Sequence, residues 1–260
     1  MILSLFAFRA RQGLRWLVPA TAFMFALGFL AVFSYTLGVL ALLDSVRAEA
    51  PIILTLLGYL GDANLGVHVL GVLYGFVLPV LIVFTSVSLG RRLIGQPLDD
   101  GRMAILLAAG YRRASVILTL CLVMLFFHFL LLLSCFLGQA AAAAIFFSGF
   151  DVLSLLRLTI GFLLVSLPFP ALAALFSARA EGARRALRRG FIIMLVLVGG
   201  MAASRLSGFS TYLRFVTPFT LFEGQKLLAG GDGWMMALWA LPFTAGLLVW
   251  TALVFRGREL

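Results

Sequence analysis

The chain has 260 residues, 63% of them hydrophobic and only 12% charged, and twenty Lys and Arg against ten Asp and Glu give it a net charge of +10. That composition excludes an ordinary soluble domain. A charge of +10 would suit nucleic acid, but the arginines border apolar stretches, where they hold loops on one side and snorkel toward anionic lipid, so no nucleic-acid partner is expected.

Six apolar stretches, at about residues 16–43, 67–89, 115–137, 154–177, 190–206 and 234–255, come near the ~20 residues a helix needs to cross a bilayer. Alternate connections between them carry Arg9, Arg11, Arg15; Arg91, Arg92, Arg102, Arg112, Arg113; Arg179, Arg184, Arg185, Arg188, Arg189; and Arg256, Arg258. Only Arg47, Arg157, Arg205, Arg214 and Lys226 fall elsewhere. Cytoplasmic loops are the Arg-rich ones, so both termini are expected inside. The connections are too short for a soluble domain, so residues 1–260 read as one all-α membrane domain.

Residues 1–15 mix Leu3, Leu5, Phe6 and Phe8 with three arginines and lack a small-residue cleavage site, so they read as mature sequence. They suit an interfacial helix lying flat before the chain turns into the first span at Trp16. Residues 44–66 hold the run PIILTLLGYL, too short to cross, and predict a short outer-surface helix. In the second span Pro79 predicts a kink.

Residues 90–114 predict a second flat helix. Pro97 ends what precedes it, Asp99 and Asp100 cap and charge a new start, Met103, Ile105, Leu106 and Leu107 give an apolar side, and Gly110 closes it. In the third span Cys121 and Cys135 lie about 21 Å apart along the helix, too far to bridge each other. The fourth span contains Pro168 and Pro170, which bend or loosen it. Glu181, four residues before Arg185, supports a short helical extension. Residues 207–233 are too long for a turn and too apolar for a solvated loop. They predict a segment dipping back into the outer leaflet as two short helices broken at Pro218. The sixth span has Trp234 and Trp250 at its ends, as interfacial belts do.

Chemistry is sparse. The two histidines, His68 and His128, are sixty positions apart, so no HExxH zinc motif exists. His128, in FFHFL, reads as a neutral hydrogen-bonded residue inside the bundle, with a proton-relay role as the alternative. No span has a central acid, and no hydrolase constellation can be assembled. A phosphate-binding P-loop needs lysine after a glycine-rich turn, and the sole lysine is Lys226 in EGQKLL. No catalytic residue, cofactor or metal site is expected in this chain.

The layout, together with DDGRMAILLAAGYRRASVILTL and FVTPFTLFEGQKLLAG, resembles the permease subunits of type-2 ATP-binding-cassette (ABC) exporters. The second stretch is similar to the Ser-Pro-Phe segment before the last span, with Thr217, Pro218 and Phe219 here. The lead into the short helix, GRRLIGQPLDDG, departs from the acidic lead of that family. The resemblance implies an N-terminal interfacial helix (Phe6, Arg9, Arg11, Arg15), a cytoplasmic coupling helix between helices 2 and 3 (Asp99, Asp100, Arg102, Met103, Leu106, Leu107, Arg112, Arg113) and a re-entrant outer segment between helices 5 and 6. It further implies a cytoplasmic ATPase dimer that holds ATP and Mg and docks on the first two, a second permease copy or homologue, and a bacterial inner membrane. Asp99, Asp100 and Arg102 would contact the ATPase, and Met103, Leu106 and Leu107 would pack in its groove or under the chain's own spans. Few charges along the spans suit an amphipathic, peptidic or lipid-like cargo. The alternative is a non-transporting anchor, immunity or assembly subunit.

Overall fold

The computed structural model describes residues 2–37, 45–46, 48–59, 64–180, 182–206 and 217–257. Among them the chain is helical, with no strand. Six helices are long and apolar enough to cross a membrane: α1 (Leu3–Thr36), α3 (Leu65–Asp99), α5 (Arg113–Phe146), α6 (Val152–Arg179), α7 (Ala183–Ala203) and α9 (Gly233–Arg256). Short helices α2 (Pro51–Leu57), α4 (Arg102–Ala108) and α8 (Gly224–Leu228) lie between them. The described residues are thus those of a helical, multi-span membrane protein.

In the most apolar window of each helix, 61% of α3, 61% of α5 and 72% of α6 is buried, against 28% for α1, α7 and α9. The first three therefore form the centre and the others flank it. The flanks turn large apolar side chains outward, among them Phe8, Val18, Leu30, Val196, Trp239 and Leu253, as expected where the surroundings are lipid tails.

Helices α1 and α5 run side by side in the same direction, with Ile2 N donating to Thr119 Oγ1, Ser134 Oγ donating to the Thr21 carbonyl, and Phe29 against Phe146. Their closest approach is built from two glycines. A Cβ on Gly28 would overlap the Cys135 carbonyl, and one on Gly138 would overlap the Phe25 carbonyl. Without a hydrophobic drive between helices inside a bilayer, such close backbone contact is what holds them.

Three expectations need correction. First, α1 does not turn at Trp16: it runs unbroken from Leu3 to Thr36. Its first residues are held along α5 by the Phe6–Phe126 ring contact at 5.7 Å and by Gly13 against Phe127. At 1.5 Å per residue a 34-residue helix is about 51 Å long, well beyond a ~30 Å hydrocarbon core, so it can serve both stretches without a bend.

Second, Pro97 does not stop α3. The helix passes both of its prolines, and each stands at the start of a new α-helical segment directly after a wider π-wound one, Leu70–Val77 before Pro79 and Arg91–Gly95 before Pro97. A proline ring collides with the carbonyl four residues back in a regular helix, and π winding relieves that collision. The break falls instead at Gly101, whose φ of 70° is left-handed.

Third, Asp99 and Asp100 do not cap α4, whose N-cap is Gly101 with no side-chain cap. In α6 the interruption is one residue, Leu167, after which Pro168 starts the second half. Glu181 lies outside the described residues, as does the first half of the segment predicted to break at Pro218. The described half is a 3-10 turn, Pro218–Leu221, followed by α8.

Candidate functional site

Because consecutive long helices alternate in direction, one end of the bundle gathers the start of α1, the end of α3, α4, the start of α5, the end of α6 and the start of α7. Arg113 Nη1 donates to the Arg256 carbonyl there, at 3.3 Å, and brings in the end of α9. Arg92 lies 5.6 Å from the Trp16 ring centroid and Arg179 lies 5.4 Å from that of Trp250. This is the arginine-rich end that the charge pattern implied.

Within that end lies α4. Met103 is fully buried in the main core, and Leu106 and Leu107 pack against it half-buried. That leaves Ile105, 71% exposed, and Tyr111 beyond the helix on the outward face, beside exposed Arg102 and Arg112. Arg102 makes a long ion pair of 3.7 Å with Asp100, both side chains more than half exposed, a contact of little energetic weight.

Asp99 is used differently. Its Oδ2 accepts the backbone N–H of Ala183 at 2.7 Å. Ala183 is the first residue of α7, so the carboxylate caps a helix reached only through the fold and complements its dipole. Gly95 also comes within van der Waals reach of Ala183. The end of α3 is therefore joined to the start of α7.

The residues predicted for the N-terminal segment separate by exposure. Arg11 and Arg15 are exposed and Phe6 is half-buried, whereas Arg9 is only 7% exposed and its Nη1 donates to Gln12 Oε1 at 3.1 Å. Arg9, Arg15, Arg92 and Arg102 together line a cavity of about 390 Å³. Sequence periodicity could not pick out Arg92 or Arg9 from their neighbours, because what brings them together is the seating of α1 against α3.

At the opposite end a larger cavity, about 720 Å³, lies between α2, α3, the end of α7 and the Pro218 turn. Thr217 and Phe219 are buried beside it. The Phe219 ring lies flat against Phe169, centroids 4.3 Å apart, and faces Phe162 at 6.0 Å. Arg205 spans the cavity wall: Nη1 donates to the Leu56 carbonyl at 2.9 Å and Nη2 to the Gly75 carbonyl at 2.7 Å. Both acceptors lack an ordinary helical donor. Leu56 is in the last turn of α2, and Gly75 lies in the π-wound turn, where its α-helical donor position is Pro79, which has no N–H. Burial lowers the Arg205 pKa, a cost that the two charge-assisted bonds oppose.

The histidines are absorbed by the core. His128 Nε2 is 2.8 Å from Ser166 Oγ and His68 Nε2 is 2.9 Å from Ser34 Oγ. Tyr74 Oη lies 2.7 Å from Thr159 Oγ1, and Gln139 Nε2 donates to Tyr74 Oη at 3.1 Å. These pairs cross-link α1, α3, α5 and α6 where an unpaired polar group would be costly.

No family model matches the chain, and no curated protein matches it either. The class, a membrane protein helical throughout its described residues with an arginine-rich end, therefore rests on its own sequence and structure.

Proposed function

We propose that this chain is the membrane-spanning subunit of an ATP-driven ABC transporter in the bacterial inner membrane, exporting an amphipathic, peptidic or lipid-like substrate. A separate cytoplasmic ATPase dimer supplies ATP and Mg chemistry, and a second permease copy or homologue completes the pathway. The arginine-rich end faces the cytoplasm, as Arg-enriched loops do. Residues 3–15 and α4 form the docking face for the ATPase, and the Pro218 turn with α8 is the re-entrant outer segment.

The observation that carries this reading is the seating of α4. A seven-residue helix stands between two long helices, anchored by Met103 and presenting Ile105 and Tyr111 outward. Force applied to it has a route into the bundle, directly through α3 and onward to α7 through the Asp99–Ala183 bond. On this reading Ile105 enters a groove of the ATPase and Met103 holds α4 to the permease. Arg102 and Arg112 flank the contact.

The test is co-expression with a candidate ABC ATPase from the same genome, followed by co-purification and ATP turnover. The reading expects a stable complex, and Ile105→Asp should sever it while the chain itself stays folded. It fails if no complex forms, or if Ile105→Asp and Arg102→Glu both leave association and turnover unchanged.

A further inference from the structure

The cavity at the arginine-rich end has a property that docking of a partner does not require. Four guanidinium groups line it, from Arg9 and Arg15 on α1, Arg92 on α3 and Arg102 at the start of α4, against the single carboxylate of Asp100. Arg9 is more than nine-tenths buried, and its Nε has no hydrogen-bond partner. Arg9 and Arg102 repel each other across the space. Asp100 is occupied by Arg102 only at 3.7 Å, and both remain largely solvated. A buried guanidinium with an unused donor and a like charge nearby is costly unless an anion completes the site.

Geometry narrows the anion. The lining guanidinium groups come from three helices, and four of them outnumber the one carboxylate. Arg92 lies over the Trp16 ring, 5.6 Å from its centroid, and guanidinium forks match phosphate oxygens bidentately. Leu14 and Val18 are exposed on the same stretch of α1, so the cavity sits where apolar surface gives way to charge. That is the level of phospholipid headgroups.

We propose that this cavity binds a phosphate oxyanion, held by Arg9, Arg15, Arg92 and Arg102, with the headgroup of an anionic phospholipid or free inorganic phosphate as its source. The proposal does not depend on the transport reading, because the chain alone forms the cavity.

The test uses the full chain purified without a partner. Phosphatidylglycerol retention is counted by native mass spectrometry, and inorganic phosphate binding is followed by thermal shift at constant ionic strength. Arg92→Gln, an exposed position, and Arg9→Gln are compared with wild type and with Arg188→Gln on the exposed start of α7. Wild type and Arg188→Gln should bind alike, while the two pocket variants should bind about tenfold more weakly, as expected for losing one charge-assisted contact. Lipid retention that phosphate does not displace assigns the headgroup, and binding of phosphate in lipid-free detergent assigns the free ion. If Arg9→Gln does not yield monodisperse protein, Arg92→Gln decides alone. Equal binding of both probes by wild type and pocket variant overturns the proposal. So does a preference for an acidic peptide over both phosphate probes, which would make the cavity a dock for a protein carboxylate.

Discussion

Asp99 on α3 and Ala183 on α7, 84 positions apart in the chain, meet through a 2.7 Å carboxylate-to-amide hydrogen bond. A helix start leaves its first N–H groups without internal partners, and removing a capping side chain costs about 1 kcal/mol. Asp99→Ala should therefore lower the thermal stability of the purified chain modestly and raise amide hydrogen exchange over the first turn of α7. Asp99→Asn, which keeps an acceptor, should recover most of both. Unchanged exchange at Ala183 and its neighbours in Asp99→Ala would show that the bond does not hold α7.

A second prediction concerns the pairing of α1 with α5. Gly28→Leu and Gly138→Leu each place a side chain on a facing backbone carbonyl, and backbone cannot rotate away as a side chain can. Each should destabilise by about 1–3 kcal/mol, the range for overpacking. Gly199→Leu, where nothing lies within 4 Å, should cost nothing. Thermal unfolding in one detergent ranks the three.

Arg205 and Pro79 should be coupled through the Gly75 carbonyl. Arg205→Met strands the Leu56 and Gly75 carbonyls, at about 1–3 kcal/mol for each buried unsatisfied group. Pro79→Ala supplies an N–H that can reach Gly75. Arg205→Met should therefore be less damaging in the Pro79→Ala background, by about 1 kcal/mol in a double-mutant cycle. Strict additivity would show that the proline-freed carbonyl is not what Arg205 serves.

Phe219 anchors the turn that follows residue 217, between Phe169 and Phe162. Phe219→Ala should destabilise by about 3–5 kcal/mol, as for large aromatic truncations, and should speed trypsin cleavage after Lys226, whose side chain is already exposed, by loosening α8. Thr217→Ala should be much milder, since its Oγ1 accepts only a 3.4 Å bond from the Phe219 amide.

Within α4, stability and surface function should separate. Met103→Asp puts a charge into the fully buried core and should abolish folded, monodisperse protein. Ile105→Asp, on the exposed side, should leave the melting temperature unchanged.

The six spans and the one-ended arginines were legible in the sequence because both are sums over neighbouring residues. Crossing a bilayer demands a local run of apolar side chains, and every predicted stretch overlaps an observed helix. Gly110, at φ 86° just after α4, closes that segment as read. The helix boundaries were less legible, because local rules assigned the break to Pro97 and a turn to Trp16. A π-wound turn lets α3 pass the proline, and contact with α5 keeps α1 straight through Trp16.

What lay beyond the sequence was every partnership between distant groups. Asp99 reads locally as a cap for the next helix, and the fold gives it to α7. Arg205 reads as a stray charge at the end of the fifth stretch, yet it satisfies a carbonyl 130 positions away. Arg9 reads as one of three surface arginines, yet the fold makes it the least exposed member of a four-arginine cavity. Hydropathy and spacing specify which segments become helices and which end collects the charge. The identity of a hydrogen-bond acceptor or a counter-charge depends on helix packing, a property of pairs far apart in the chain that no local window contains.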